Sequence, residues 1–583
     1  MDADNPTSAT LAEPRVQTWP ALSLAEAVER LCAPGSLFEL EEVTVRGVRM
    51  RTWKNQPPSL AALARHARAS FAGNEFIVYE GDRVSYEGWF RAVAALAHRL
   101  QQQGVGKGDR VAIAMRNLPE WPVAFFAVTS IGAIAVPLNA WWQAQELRYG
   151  LDNAGARLLI CDGERYQRIA PLRDALPDLA AIWVARAKAP LMEAEALEAL
   201  IGAPGDYADL PDQDLPAVEI EPDDEATLFY TSGTTGAPKG ALGTHRSALT
   251  GSLANAFSTH RSCLRRGEEP PPSRPRIALT VIPLFHVTAC NASLMSTMMT
   301  GSKLVMMRKW DAVEAMALIE REKVTVTGGV PTIAWQLIEH PDRPKYDLSS
   351  LESVAYGGAP AAPELVRLID SDMHVSPSSG WGMTETSATV TTHAGEDYVH
   401  RPDSCGPALP VSDIRIMALD GAHEMPVGEV GELWAFGPQV VKGYWRNPEA
   451  TAATFFDGWV RTGDLARVDA EGFCYIVDRA KDIVIRGGEN IYCIEVENCL
   501  YAHPAVTDAA LIGLPHRTLG ETPAAIVHLA PGQEASEAVL QAWVRARLAP
   551  FKVPERIHVC PTPLPRNANG KIIKAELRAF FDG

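Results

Sequence analysis

The sequence between residues 230 and 240 reads Tyr230-Thr231-Ser232-Gly233-Thr234-Thr235-Gly236-Ala237-Pro238-Lys239-Gly240. It follows an apolar run at 226–230 that predicts a buried strand, and it precedes a helix predicted near 247–257. Backbone amides and hydroxyls in such a turn can bind phosphate oxygens, and Lys239 adds a movable positive charge. The spacing is not that of a Walker A loop. A flexible polar turn would have the same composition, so this stretch alone leaves both interpretations open.

Outside this loop the chain alternates short apolar strands with amphipathic helices, which predicts parallel sheets covered by helices on both faces. The pattern becomes regular near residue 85 and includes strands predicted at 111–115, 277–283 and 353–356. Short strands with many turns follow residue 400, and a compact α+β segment follows residue 480. We expect an α/β enzyme with a lead-in at 1–80, a large domain at 81–480 and a small mobile domain at 481–583. Residues 262–275, rich in Arg, Glu and Pro, predict an exposed loop.

Composition narrows the classes of function. The 583 residues carry 54 basic and 71 acidic side chains, a net charge of −17, which argues against a nucleic-acid partner. Nine cysteines without a CxxC pair, and an N-terminus without signal-peptide features, favour the cytoplasm. The uncharged stretch 121–142 is long enough for a membrane span. Its glycine and prolines instead predict a buried helix, a break at Gly132 and a buried strand at 134–138.

Six further motifs accompany the loop in a fixed order along the chain. They are Tyr356-Gly357-Gly358-Ala359-Pro360, Gly380-Trp381-Gly382-Met383-Thr384-Glu385, Trp459-Val460-Arg461-Thr462-Gly463-Asp464, Asp478-Arg479-Ala480-Lys481-Asp482, Arg486-Gly487-Gly488-Glu489-Asn490-Ile491 and Pro565-Arg566-Asn567-Ala568-Asn569-Gly570-Lys571. Together with the loop they resemble the motifs of the adenylate-forming superfamily, which includes acyl-CoA synthetases, luciferase and peptide-synthetase adenylation domains. The resemblance covers roughly residues 60 to 580.

This resemblance implies an enzyme that uses ATP, Mg²⁺ and coenzyme A. Residues 231–236 and Lys239 would hold the phosphates, and Gly358, Ala359 and Pro360 would border the adenine and the substrate. Trp381 would stack on adenine where relatives more often carry tyrosine, beside Gly382 and Met383. The remaining nucleotide contacts would come from Thr384 to the α-phosphate, from Glu385 to Mg²⁺, and from Asp464 and Arg479 to the ribose or phosphate.

Catalysis in this family proceeds in two steps that need different geometries. By resemblance, Lys571 bridges the substrate carboxylate and ATP while the acyl-adenylate forms. The C-terminal domain then rotates about a hinge at Lys481, which withdraws Lys571 and presents Gly487 and Gly488 to the pantetheine arm. Glycines at those two positions would let the arm pass close to the backbone.

The sequence indicates the reaction more clearly than it indicates which acid is the substrate. His286 replaces the aspartate that holds the ammonium group in amino-acid-activating relatives, so we expect an acid without an α-amino group, with His286 lining or gating its pocket. A fatty or other hydrophobic acid is expected, with aryl or alicyclic acids as alternatives. Three rivals are an acyl-AMP ligase that loads a carrier protein, a luciferase-like oxygenase, which Ile485 disfavours, and a non-catalytic scaffold. We expect a monomer or homodimer without a transmembrane segment.

Overall fold

The structure is a computed structural model that describes residues 19–231, 237–357, 363–487, 489–567 and 571–581. Its first elements are α1 (Leu24–Leu31), β1 (Leu40–Val45), β2 (Val48–Trp53), α2 (Leu60–Phe71), β3 (Glu75–Tyr79), β4 (Asp82–Ser85) and α3 (Tyr86–Gln102). Trp53 is only 1% exposed and donates its indole N–H to the carbonyl of Thr250 at 3.0 Å. The hairpin β1–β2 therefore packs firmly against a helical layer formed much later in the chain.

A seven-stranded sheet forms the first α/β unit. Its elements are β5 (Arg110–Ala114), α4 (Glu120–Ser130), β6 (Ile134–Pro137), α5 (Ala144–Ala154), β7 (Leu158–Asp162), α6 (Gly163–Ile169), β8 (Ala181–Ala185), β9 (Glu195–Ala196), α7 (Leu197–Ile201), β10 (Glu225–Tyr230) and β11 (Gly240–Thr244). The strand order is β11-β10-β6-β5-β7-β8-β9, and only β10 and β11 pair antiparallel. As predicted, the stretch 121–142 forms a buried helix and a buried strand. Within the described ranges, no helix is long and apolar enough to cross a membrane.

An eight-stranded sheet forms the second unit. Its elements are α8 (His245–Thr250), α9 (Ala254–Arg265), β12 (Ile277–Thr280), α10 (Met295–Thr300), β13 (Lys303–Met306), α11 (Ala312–Glu322), β14 (Val326–Gly329), α12 (Pro331–Ile338), β15 (Ser353–Tyr356), α13 (Pro363–Ser371), β16 (Ser376–Trp381), β17 (Thr391–Ala394) and α14 (Glu396–His400). The order is β17-β16-β15-β14-β12-β13-β3-β4. The six strands from β16 to β3 are parallel. Helices α3 and α4 contribute to a hydrophobic core that also contains side chains of both sheets.

Two local predictions in this unit are wrong. The single helix expected near 247–257 is divided into α8 and α9 by a 3₁₀ turn at Gly251–Leu253. The exposed loop expected at 262–275 starts later, because α9 continues to Arg265. Arg265 and Asp397 are both buried and form an ion pair of 2.6 Å, a long-range contact that keeps the last turn of α9 inside the protein.

The remaining chain forms a β-rich subdomain and a small α+β domain. The subdomain contains β18 (Asp413–Met417), β19 (Gly431–Phe436), α15 (Pro448–Thr454), β20 (Phe455–Phe456), β21 (Trp459–Val468) and β22 (Cys474–Arg479). The C-terminal domain contains β23 (Val484–Arg486), β24 (Glu489–Ile491), α16 (Cys493–Tyr501), β25 (Val506–His516), β26 (Gly520–Leu529), α17 (Glu537–Arg545), β27 (Arg556–Cys560) and α18 (Lys574–Leu577). The expected α/β class, with a large N-terminal and a small C-terminal domain, is confirmed.

Candidate active site

The candidate site lies at one edge of the eight-stranded sheet. Strands β12, β14, β15 and β16 are parallel, so their carboxyl ends meet at the same edge. In open α/β sheets, ligands bind in the crevice outside these ends. The segments that leave the four strands here include His286, Gly357 and the motif 380–385, which brings His286 and two of the sequence motifs to one place.

Two glycines shape the end of β16 and the turn that follows it. A Cβ atom at Gly382 would lie 1.3 Å from the carbonyl oxygen of Ala388, and one at Gly380 would lie 2.6 Å from that of Thr391. No side chain fits at either position. The turn continues into a 3₁₀ segment, Thr384–Thr386, where the Met383 amide donates to the hydroxyl of Thr386 at 2.9 Å. Gly380 and Gly382 therefore have a structural reason to be present, beside any contact with nucleotide.

Trp381 and the predicted ribose carboxylate are directly bonded. The indole Nε1–H of Trp381 donates to Oδ2 of Asp464 at 2.8 Å, and Arg479 Nε lies 3.1 Å from Oδ1 of the same carboxylate. Asp464 and Arg479 face each other across the β21–β22 ladder. Asp464 is thus held by a hydrogen bond from Trp381 and by an ion pair with Arg479. The Trp381 bond was not anticipated from the sequence, because it joins residues 83 positions apart.

Lys571 is grouped with these residues. Its backbone N–H donates to Oδ1 of Asn567 at 3.0 Å, and its carbonyl accepts from the Asn567 amide at 2.9 Å. Burial lowers the pKa of Lys571 to about 8; the charge of Arg479 acts in the same direction, and that of Asp464 opposes it. These influences place the terminal lysine within electrostatic reach of the candidate ribose site, although it lies in the other domain.

A second group surrounds Glu385. The hydroxyl of Tyr444 donates to Oε1 of Glu385 at 2.7 Å, and Lys239 Nζ lies 4.6 Å from the centre of the Tyr444 ring. Burial raises the pKa of Glu385, while the bond from Tyr444 works against that increase. Sequence reasoning missed Tyr444. Its contact depends on residues 442–445 lying beside β11, where Leu242 and Trp445 donate backbone bonds to Gly443 and Gly240.

The predicted phosphate loop is described only at its base. The Thr231 amide donates to the Lys239 carbonyl at 2.8 Å, and the Lys239 amide donates to the Thr231 hydroxyl at 3.2 Å. These two bonds close the loop and bring Lys239 towards Glu385. Several other predicted ligands lie outside the described residues. They are Ser232, Gly233, Thr234, Thr235, Gly236, Gly358, Ala359, Pro360 and Gly488.

Three predicted residues stand apart from these groups. His286 follows β12, its Nε2 is buried without a hydrogen-bond partner, and burial lowers its pKa to about 3. His286 is not among the described residues that line the cavity beside Trp381 and Gly382. Gly487 (φ +59°) donates to the carbonyl of Leu519 at 2.7 Å, a contact within the C-terminal domain. Lys481 lies in the turn after β22, where Asp482 donates to the carbonyl of Arg479 at 2.9 Å.

A cavity of about 520 Å³ adjoins Trp381 and Gly382. It extends along the sheet between the strand faces and a cover formed by α9 and residues 288–302, and it ends near Arg274 and Glu352. A pocket of this size, next to a group of charged residues, has the features of a site for a small molecule.

Comparisons with known proteins agree with this geometry. The profile described as AMP-binding enzyme matches residues 63–445, and that described as AMP-binding enzyme C-terminal domain matches residues 495–571. The chain belongs to the AMP-binding enzyme family. Within this adenylate-forming superfamily, the chain is 35% identical to a feruloyl-CoA synthase of Amycolatopsis sp. The alignment of 526 residues covers 90% of this chain and 98% of that protein.

Two other members of the family are similar over most of their length. A long-chain-fatty-acid–CoA ligase of Bacillus subtilis (strain 168) is 32% identical over 542 residues, 89% of this chain and 94% of that protein. The crystal structure of the anthranilate CoA ligase AuaEII in complex with anthranoyl-AMP has a TM-score of 0.80 at 25% identity, covering 90% of this chain and 97% of that chain. The resemblance inferred from the motifs is thereby confirmed.

Proposed function

We propose that the protein is an ATP-dependent acid–CoA ligase. It would convert a carboxylic acid, ATP and coenzyme A into acyl-CoA, AMP and pyrophosphate through an acyl-adenylate. The observation that carries this proposal is the convergence of Lys571, Asp464, Arg479 and Trp381 beside Glu385 and Lys239 at the carboxyl edge of a parallel sheet. The relatives named above are CoA ligases or synthases, which supports coenzyme A as the acceptor.

The first step brings two anions together. The substrate carboxylate attacks the α-phosphorus of ATP, the bond to pyrophosphate breaks, and positive charge must offset the repulsion. In our proposal the protonated amine of Lys571 aligns carboxylate and nucleotide, and Lys239 faces the outgoing phosphates. Asp464 accepts from the ribose hydroxyls while Trp381 and Arg479 hold it in place. Thr384 donates to the α-phosphate.

The residues present fit a magnesium ion held mainly by substrate. Oε1 of Glu385 is engaged by Tyr444, whereas Oε2 bonds to no other described residue, which leaves one carboxylate oxygen for a cation. The described part of the chain has no cluster of three or more acidic, His or Cys side chains that could hold a metal. Mg²⁺ bound by one carboxylate and the nucleotide phosphates needs no such cluster, and it would neutralise phosphate charge.

The second step requires a thiol at the acyl carbonyl. We propose that residues from about 481 onward rotate about Lys481, which removes Lys571 and brings the hairpin β23–β24 with Gly487 to the site. The bond between Arg486 and Glu555 (2.9 Å) keeps this hairpin attached to the C-terminal sheet, so it would move as part of the domain. The cytoplasm is the compartment we propose for this reaction.

The proposal is tested by pyrophosphate release from MgATP with a panel of fatty, aryl and alicyclic acids, each with and without coenzyme A. We expect sustained release that requires one class of acid and coenzyme A, with acyl-CoA and AMP as products. Release with aryl acids alone would identify an aryl-acid ligase. A single burst that coenzyme A does not prolong would instead favour an enzyme that loads a carrier protein. Absence of release with every acid would contradict the proposed function.

A further inference from the structure

Helix α16 of the C-terminal domain begins without a cap of its own. The side chain of Tyr492, which precedes the helix, accepts no hydrogen bond from the first turn. The first amide groups of a helix have no partner within the helix, and a nearby side-chain oxygen usually supplies one. Here the amide of Cys493, the first residue of α16, donates to Oδ2 of Asp478. The acceptor therefore comes from another part of the chain.

Asp478 lies on the other side of the proposed hinge. It is the fifth residue of β22, which pairs with β21. Two residues later, Ala480 donates to the carbonyl of Gly463 at 2.9 Å. These contacts fix Asp478 to the β-rich subdomain, whereas Cys493 belongs to the hydrophobic core of the C-terminal domain. The bond between Asp478 and Cys493 thus spans the boundary that we place at Lys481.

The carboxylate of Asp478 is buried at this boundary. Asp478 is only 2% exposed, and its Oδ1 accepts the amide of Arg479 at 2.7 Å. Burial raises the pKa of Asp478 to about 6, and the charge of Lys574 in α18 opposes that rise. Lys574 is in turn held by an ion pair of 2.7 Å with Glu497 on α16. Two elements of the C-terminal domain therefore face one carboxylate of the large domain.

The thiol of Cys493 bonds on the opposite side of the pivot. Its Sγ–H donates to the carbonyl of Asp482 at 2.9 Å. This bond joins two residues that both follow Lys481, so it can persist when the C-terminal domain rotates. The bond from the Cys493 amide to Asp478 joins the moving part to the stationary part. A hydrogen bond is lost once its atoms separate beyond about 3.5 Å, so a rotation that withdraws Lys571 breaks it.

We propose that Asp478 is a positioning residue for adenylation, because it caps α16 across the hinge and holds the C-terminal domain where Lys571 faces the nucleotide. The carboxylate releases the helix when the domain turns for thioester formation. This inference rests on the proposed function and names a residue that sets the balance between its two half-reactions. Asp478 acts through the orientation of the domain, and its role requires no contact with nucleotide or acid.

The quantity that tests this role is the rate constant of thioester formation divided by that of adenylation. When the two orientations exchange rapidly, each rate constant scales with the population of its own orientation. Loss of a bond between a carboxylate and the start of a helix shifts such an equilibrium about tenfold. We therefore expect Asp478→Ala to raise the ratio about tenfold. Asp478→Asn, which keeps the shape of the side chain and one acceptor oxygen, should raise it less.

A matched pair of variants tests the same bond from the side of the helix. Cys493→Pro removes the amide hydrogen, and proline is well accommodated at the first position of a helix. Cys493→Ala keeps the amide and loses only the thiol. We expect the proline variant to raise the ratio about tenfold and the alanine variant to leave it within about twofold of normal. In the double variant Asp478→Ala, Cys493→Pro the ratio should rise no further, because both changes remove one bond.

Rapid-quench experiments measure both half-reactions on the same preparation, so the ratio does not depend on the fraction of folded enzyme. The first follows pyrophosphate release from MgATP with an acid that the wild-type enzyme accepts, and the second follows transfer from the pre-formed acyl-AMP to coenzyme A. An unchanged ratio in Asp478→Ala and Cys493→Pro, or an equal rise in Cys493→Ala, would overturn the inference. A wild-type enzyme that releases no pyrophosphate with any acid would instead contradict the proposed function.

Discussion

At the residue scale, the bond between Trp381 and Asp464 joins the candidate adenine and ribose contacts. Its length of 2.8 Å and the buried carboxylate make it a strong hydrogen bond. We predict that Trp381→Phe, which keeps a flat ring and loses the N–H, raises the KM for ATP about tenfold with a smaller change in kcat. Steady-state kinetics at saturating acid measure this effect.

A matched control is available in the same protein. Trp543 donates its Nε1–H to the carbonyl of Cys499 at 2.8 Å, an indole hydrogen bond of the same length within the C-terminal domain. Trp543→Phe should leave the KM for ATP unchanged. If both variants raise it equally, the effect belongs to the stability of the protein, and Trp381 has no special role in nucleotide binding.

The pKa of Lys571 gives adenylation a dependence on pH. Because burial lowers that pKa to about 8, the amine of the free enzyme loses its proton as the pH rises through this value, and with it the charge that aligns two anions. We predict that kcat/KM for ATP in pyrophosphate release falls about tenfold per pH unit above 8. Lys571→Arg stays charged and should abolish the decline, even if its activity is lower. An unchanged profile in Lys571→Arg would assign the titration to another group.

At the scale of elements, the hairpin β1–β2 holds α9, the helix that covers the cavity. Trp53 contacts Phe38 and Phe257 with ring centres 6.0 and 5.7 Å away. We predict that Trp53→Ala destabilises the protein by about 3–5 kcal/mol and raises the KM for the acid. Thermal melting measures the first effect, and Trp141→Ala, on a side chain that is 43% exposed, is the control. Equal melting temperatures for the two variants would contradict this role.

Elements with strong local signals were predictable from the sequence. The strand at 353–356 has the predicted bounds, and the buried helix and strand around Gly132 follow the expected order. The division of α8 from α9 was missed, because the cost of one glycine in a helix is small and tertiary contacts decide it. The bonds of Tyr444 with Glu385 and of Trp381 with Asp464 join residues 59 and 83 positions apart, and no local pattern encodes them.

At the scale of the whole molecule, the proposed reaction needs the C-terminal domain in two positions. The turn at Lys481 is the point about which we expect it to rotate. Lys481→Pro fixes φ at that position and restricts Ala480 to extended conformations. We predict that it slows thioester formation from acyl-AMP about tenfold, while adenylation is affected less. Rapid-quench measurement of each half-reaction tests this, with Lys481→Ala as the control, and a normal rate of thioester formation would exclude this pivot.

The order of motifs predicted the family and the fold class, whereas the residues that it proposes for the site remain predictions. The cavity beside Trp381 could not be predicted in the same way. Its lining comes from five strands, from α9 and from residues 288–302, which only the assembled fold brings together. Substrate preference is therefore a property of the assembled molecule.

The central claim is that Lys571 serves the first half-reaction and is absent from the second. Its most direct test compares Lys571→Ala in pyrophosphate release and in thioester formation from pre-formed acyl-AMP, using an acid that the wild-type enzyme accepts. Lys552→Ala, which breaks an ion pair with Glu495 elsewhere in the same domain, is the control. We predict that Lys571→Ala slows adenylation at least about 100-fold and leaves thioester formation within about threefold of normal. Equal losses in both half-reactions would contradict the account.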